Sequence, residues 1–211
     1  MPITRVDCPK FSGKERKELF EFVKRSMKED AEIAVFLCGK KESPKLGNIC
    51  TGSRCEVDIS TPKKCPIGHP FGLFHTHPHT KPWTNETDAK ASSQHGLYMS
   101  CVGGNDKAPW IILGSEDPAP IRNLTIRCHN TKPSILPKLT KKIAEAEQAQ
   151  TEAIKNAALI QNKMQSEGAD TKTWMAARLK QYEPSDKIRK ELSKFVSDQW
   201  KLKQEGCVFK K

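Results

Sequence analysis

The 211-residue sequence predicts an α/β (α+β) fold, a mixed β-sheet flanked by helices, with a helical extension at its C-terminus. Three observations carry this. A helical stripe near the N-terminus gives way to short apolar runs bounded by Gly, Pro, Asn and Asp. A second short helical pattern interrupts those runs, and more strand-like runs follow it. From Leu136 the texture changes to long, Ala-rich segments at helical spacing. The expected division is residues 1–132 for the α/β domain and 133–211 for the helical extension.

Ser12-Gly13-Lys14-Glu15 has the form of a capping box and predicts a helix through about Lys28, with Leu19, Phe20, Phe22, Val23 and Met27 facing the core. Glu32 to Gly39 reads as a buried strand with a nearly continuous apolar run. Lys40 to Asn48 reads as a charged turn, and Ile49 to Ile59 as an irregular strand that alternates over Arg54 to Ile59. Gly72 to His77 is a further strand after a loop at Ser60 to Pro70. Glu86 to about Gln94 is a helix capped by Thr84 or Asn85 and ended by Gly96. Leu97 to Val102 is a strand closed by the turn signature Gly103-Gly104-Asn105-Asp106; Trp110 to Leu113 and Leu124 to Cys128 are two more. In the extension, Leu136, Leu139, Ile143, Ala146, Ala153, Ala157, Ile160 and Met164 form a seam ended by Gly168. A short helix over Thr171 to Tyr182 stops before Pro184, and Ser185 or Asp186 caps a last helix whose apolar face is Ile188, Leu192, Phe195, Val196 and Trp200.

Chemistry concentrates at Phe74-His75-Thr76-His77-Pro78. Side chains alternate along a strand, so His75 and His77 project to one side, and Pro78 ends the strand by removing a backbone donor. Asp88, in the first turn of the next helix, can fold back over the strand end. Two imidazoles and a carboxylate, with no Cys among them, suit one Zn2+ per chain with an open fourth position. His79 reads as exposed and Trp83 as packing over the rim of this site.

His-x-His, ten residues, then Asp resembles the JAMM (MPN+) zinc metalloprotease family, and the likeness covers roughly residues 14 to 128. The resemblance implies a cytidine-deaminase-like fold, metal ligands His75, His77 and Asp88, and hydrolysis of isopeptide or peptide bonds at the C-termini of ubiquitin-like proteins. It also implies a catalytic Glu on the first strand, here Glu32, which passes a proton from water to the leaving amine. The family's Ser three residues before the Asp, which helps hold the oxyanion, is replaced by Asn85. Asn85 therefore carries two readings, an amide donor to the oxyanion and a helix N-cap. The short stretch before the His-x-His strand resembles compact archaeal relatives of the proteasome-lid deubiquitinase. Expected partners are ubiquitin or ubiquitin-like conjugates. Alternatives are a processing peptidase for a ubiquitin-like or sulfur-carrier precursor, and a non-catalytic scaffold of the same fold. The helices after Pro133 contain no His and no Cys before Cys207. They are expected to pack on the catalytic domain or to meet a helical partner or second copy, and to supply no catalytic group.

The formal charge is +11, with the basic excess divided almost evenly about Pro133, so neither part is a basic tail. No helix-turn-helix, finger or aromatic-basic strand supports nucleic acid. No apolar run approaches the ~20 residues of a membrane helix. The first residues lack the apolar segment of a signal peptide, and the expected location is the cytoplasm. Of eight Cys, Cys38, Cys101 and Cys128 fall in strand-like runs and read as small hydrophobes. Cys50, Cys55 and Cys65 lack a paired Cys-x-x-Cys; they read as free thiols or as a group in which two form a disulfide.

Overall fold

The structure is a computed structural model that describes residues 8–52, 65–78, 80–107, 123–203 and 206–211. Helix α1 (Gly13–Glu29) starts at Ser12, whose hydroxyl accepts the Glu15 N–H, and ends at Asp30 in the left-handed region. Strand β1 (Ile33–Lys40) is buried over its first six residues. It pairs antiparallel with β2 (Ser43–Thr51) on one side and β3 (Pro70–Thr76) on the other. Helix α2 (Glu86–Gln94) crosses from β3 to the parallel strand β4 (Met99–Asn105). β5 (Leu124–Asn130) follows antiparallel to β4. A 3-10 turn at Pro133–Ile135 leads into α3 (Leu136–Ser166), then α4 (Thr171–Lys180), α5 (Glu183–Trp200) and β6 (Cys207–Lys210). The six strands lie in the order β2-β1-β3-β4-β5-β6. This is the mixed sheet with flanking helices that the sequence predicts.

Strand alternation separates two faces. Ile33, Val35 and Leu37 join Phe74, Met99 and the α1 stripe in one cluster. Ala34, Phe36 and Cys38 join Leu73 and Leu97 in another. His75 shares the parity of Leu73 and so belongs to the second face. There α2 lies under α3 and α5, and Ala89 packs with Leu139, Ile143, Leu192, Val196 and Trp200. The apolar seam of the extension is thus spent largely within the chain. Among the described residues no helix is long and apolar enough to cross a membrane.

Several elements differ from the expectations. Residues 43–48, read as a charged turn, belong to β2, which covers the outer edge of β1. Lysine and proline are what exposed edge strands carry, and they hide the strand signal. Arg54 to Ile59 and Trp110 to Leu113 lie outside the described residues, as do His79 and Cys55. β4 runs through Gly103 and Gly104 instead of turning there. A Cβ on Gly103 would collide with Val23 Cγ2, and one on Gly104 would come within 2.9 Å of the Thr80 carbonyl oxygen. These glycines serve close approach, not a bend. α5 starts at Glu183 with Pro184 in its first turn; Tyr182 precedes it with no side-chain cap, and the Ser185 hydroxyl donates to the Tyr182 carbonyl instead. β6 was not expected at all.

The strand cysteines are not simple hydrophobes. Cys38 is bonded to Cys65, Cys101 to Cys128 across β4 and β5, and Cys8 to Cys207 on β6. Cys65 therefore pairs outside the Cys50, Cys55 and Cys65 group.

Candidate metal centre

The crossover from β3 to α2 assembles the site. β3 delivers His75 onto the face beneath α2, with 5% of its surface exposed. The His77 N–H donates to the Gly103 carbonyl at 2.8 Å, which keeps the chain extended for one residue beyond the strand. Between the two histidines, Thr76 points to the opposite face and is fully buried. Its hydroxyl donates to Ser26 Oγ at 2.6 Å and accepts the Ile33 N–H at 2.9 Å. One side chain thereby ties the end of β3 to α1 and to the start of β1.

Helix α2 aims the third group. Asn85 Oδ1 accepts the Asp88 N–H at 3.0 Å, and Asp88 Oδ2 accepts the Asn85 N–H at 2.8 Å, a reciprocal capping box. Of the two caps considered from sequence, Asn85 is the one used.

The result is a convergent set of three ligand atoms. His75 Nε2 lies 3.2 Å from His77 Nε2 and 3.3 Å from Asp88 Oδ1, and His77 Nε2 lies 4.0 Å from Asp88 Oδ2. Ligand atoms ~2.0–2.2 Å from one tetrahedral ion stand about 3.3 Å apart, so the spacing fits a metal ion. His77 Nδ1 donates to the Lys81 carbonyl at 3.5 Å, which leaves the Nε2 lone pair facing the cluster. His75 Nδ1 is buried and makes no hydrogen bond among the described residues. His75, His77 and Asp88 could together hold a metal ion.

The electrostatics follow from this crowding. Burial opposes the charged form of His75, but the Asp88 carboxylate, helped by Glu32, holds its pKa above the ordinary value. Burial and then the neighbouring His75 push His77 down to about 4. Burial works against the Asp88 anion, yet the His75 charge and hydrogen bond keep its pKa below the ordinary value. Of the two histidines, His77 is thus the one that sheds its proton more readily.

Glu32 sits immediately before β1, half-buried, with its carbonyl accepting the Gly52 N–H at 2.9 Å. Ala34 is the register partner of His75, and the Glu32 charge adds a small push to the raised His75 pKa. Asn85 is exposed; its oxygen is spent on the cap, and its amide nitrogen makes no hydrogen bond among the described residues. Trp83 is 38% exposed and lies against the Arg127 guanidinium, 4.4 Å from ring centre to Cζ. Arg127 also pairs with Asp106 at 2.9 Å. Sequence reasoning missed Ser26, Thr76, Arg127 and Asp106. The only signal for Thr76 is a hydroxyl between two ligand candidates, at a position whose parity buries it.

The helical extension reaches the site from outside. The indole N–H of Trp200, fully buried, donates to Ser93 Oγ at 3.0 Å, and that hydroxyl donates to the Ala89 carbonyl at 2.8 Å. The Thr140 hydroxyl donates to the Ser93 carbonyl, and the Ser193 hydroxyl to Glu86 on the first turn of α2. No family model and no curated protein matches the chain.

Proposed function

We propose that this chain is a zinc-dependent peptidase of the JAMM type that cleaves ubiquitin or ubiquitin-like modifiers from conjugates. The observation that carries the reading is the convergence of the His75 and His77 Nε2 atoms with Asp88 Oδ1, with Glu32 at the head of the strand that pairs with the His75 strand. When bound there, zinc supplies an activated water and polarises the scissile carbonyl. Glu32 takes the proton of the attacking water and hands it to the leaving amine, a task that needs a carboxylate near the ligands but outside the ligand set. Asn85 presents its free amide N–H groups at the helix start, where they can donate to the oxyanion while the oxygen keeps the cap. Thr76 keeps Glu32 and the histidines in register, through the Ile33 N–H.

Metal analysis and a cleavage assay test the reading together. Purified protein carries close to one zinc per chain, and His77→Ala or Asp88→Ala loses most of it. Ubiquitin-like fusions and isopeptide conjugates are cleaved without chelator and spared with it. Glu32→Gln folds, keeps its zinc and loses about 10²–10⁴-fold in turnover. Absence of zinc, or unchanged zinc in both ligand variants, defeats the metal site. Cleavage at the wild-type rate by Glu32→Gln removes Glu32 from the mechanism.

A further inference from the structure

Three cysteines stand in one row across the sheet. Cys101 on β4 is the register partner of Cys128 on β5, and Cys128 is the register partner of Cys207 on β6. All three point to the face under α1, in one apolar cluster, and none is more than 4% exposed. The row carries two bridges, Cys101–Cys128 within it and Cys207–Cys8 at its end. Cys8, in the segment before α1, is exposed. The third bridge, Cys38–Cys65, belongs to the opposite face of the sheet.

One bridge is thus within reach of a reagent in solvent, and the other is within reach of the first. Exchange needs a thiolate that meets a disulfide sulfur from the side opposite the sulfur that leaves. The Cys101–Cys128 bond joins β4 to β5, so its axis runs across the strands. Cys207 continues the row on the far side of Cys128, opposite Cys101. Directly opposed residues of antiparallel strands have Cα atoms ~4.5–5.5 Å apart, inside the ~4.4–6.8 Å that a disulfide spans. Cys207 can therefore replace Cys101 as the partner of Cys128 with the strands in place.

We propose that these four cysteines form a thiol–disulfide relay that takes two electrons from an external dithiol at Cys8. A thiolate of the dithiol attacks Cys8 Sγ, and Cys207 leaves as a thiolate. The second thiol of the reagent attacks the mixed disulfide, and Cys8 leaves and takes up a proton. The Cys207 thiolate attacks Cys128 Sγ: the Cys128–Cys207 bond forms, the Cys101–Cys128 bond breaks, and Cys101 takes up a proton. In balance, the dithiol becomes a disulfide, two protein bridges become one, and the two protons of the reagent end on Cys8 and Cys101. A thiolate stranded in an apolar cluster is costly, which drives the second exchange. A buried Cys101 thiol, in contrast, packs as a small hydrophobe. The relay unties the segment before α1 from the sheet and ties β6 to β5. That segment then keeps the edge-on contact of Phe11 with Phe209 and the bond from the Lys10 N–H to the Lys41 carbonyl.

Disulfide mapping of the native full chain over a time course with dithiothreitol tests this. Thiols already free are first blocked with N-ethylmaleimide. Samples are then quenched with deuterated N-ethylmaleimide and digested with pepsin in acid, where exchange is slow. The expected result is a Cys128–Cys207 peptide that appears as the Cys8–Cys207 bridge is lost, with the deuterated label on Cys8 and Cys101. Cys207→Ser leaves the buried Cys101–Cys128 bridge without its internal attacker, and its opening slows at least tenfold. Cys8→Ser, on an exposed segment, serves should Cys207→Ser fail to fold. With Cys207 unbridged from the outset, that variant carries Cys128–Cys207 and a Cys101 thiol before any dithiol is added. The proposal is overturned by an opened Cys8–Cys207 bridge beside an intact Cys101–Cys128 bridge, or by opening of Cys101–Cys128 at the wild-type rate in Cys207→Ser. A Cys207 thiol beside an intact Cys101–Cys128 bridge in Cys8→Ser overturns it too.

Discussion

Replacing Trp200 tests whether the helical extension holds the proposed metal ligands in place. The indole lies in the cluster that contains Ala89, the neighbour of Asp88, and its N–H reaches Ser93 on the same helix. Trp200→Phe removes that donor and some volume. One lost hydrogen bond is worth about 0.5–1.5 kcal/mol, and felt at Asp88 this weakens zinc roughly two- to tenfold. Trp200→Ala opens a cavity costing about 3–5 kcal/mol, which at ~2–4 °C per kcal/mol lowers the melting temperature by roughly 6–20 °C. Freed from its packing, α2 should then lose zinc affinity by about 10–100-fold, the range for removing the support of a ligand. Zinc affinity is read by competition with a chromophoric chelator, beside melting curves of the metal-free chain. Phe22→Leu, in the separate cluster under α1, is the control: it should lower the melting temperature with zinc affinity unchanged. Equal zinc affinity in wild type and both Trp200 variants, despite lowered melting temperatures, would refute the coupling.

Three further outcomes follow from the same geometry. Asn85→Ala should cost about 1 kcal/mol through the lost cap and about 10²–10³-fold in turnover, with Asn85→Ser recovering most of both; a stability loss with unchanged turnover would leave Asn85 as a cap alone. His77, held near pKa 4 in the fold, binds its proton near pH 6.5 once unfolded, so it makes the metal-free chain lose stability as pH falls from about 6.5 to about 4. Metal-free His77→Ala should show a flatter fall over that window in pH-dependent melting, and an unchanged slope would contradict the assignment. Thr76→Val strands the buried Ile33 N–H at a cost of about 1–3 kcal/mol and should also lower turnover as Glu32 drifts; activity equal to the wild type in a folded variant would confine Thr76 to stability.

How much of this was legible depended on the range of the interactions involved. The α1 stripe, the apolar β1 and the His-x-His strand express local periodicity, and the structure places them within a residue or two of the reading. β2 and β6 are edge strands, and their identity comes from the neighbour they pair with; Cys207 to Lys210 is too short to show a period. The cysteine pairing was hidden for the same reason. Cys101 and Cys128 look like core residues until the β4–β5 register sets them opposite one another. Gly103 and Gly104 misled because a glycine needed for close packing and one needed for a turn look alike in sequence. At the site, the ligand spacing could be read directly. The supports could not, because Thr76, Ser26, Ser93 and Trp200 act on elements far from them in sequence.

The capping box shows how folding and chemistry share one carboxylate. The reciprocal bonds require a polar side chain at the N-cap and an acceptor three residues on, which is the spacing of Asn85 and Asp88. The motif therefore sets the rotation of the Asp88 carboxylate before any metal arrives. Oδ2 is committed to the Asn85 N–H, and Oδ1 is the oxygen 3.3 Å from His75 Nε2. Oδ2 keeps its second lone pair and lies 4.0 Å from His77 Nε2, so both oxygens of the carboxylate stay on the side of the histidines. A tetrahedral ion held by the two imidazoles and one carboxylate oxygen would keep one position open, as the proposed hydrolytic role requires. Any substitution at residue 85 that keeps a hydrogen-bond acceptor for the Asp88 N–H preserves that arrangement, and asparagine does so with an amide donor to spare.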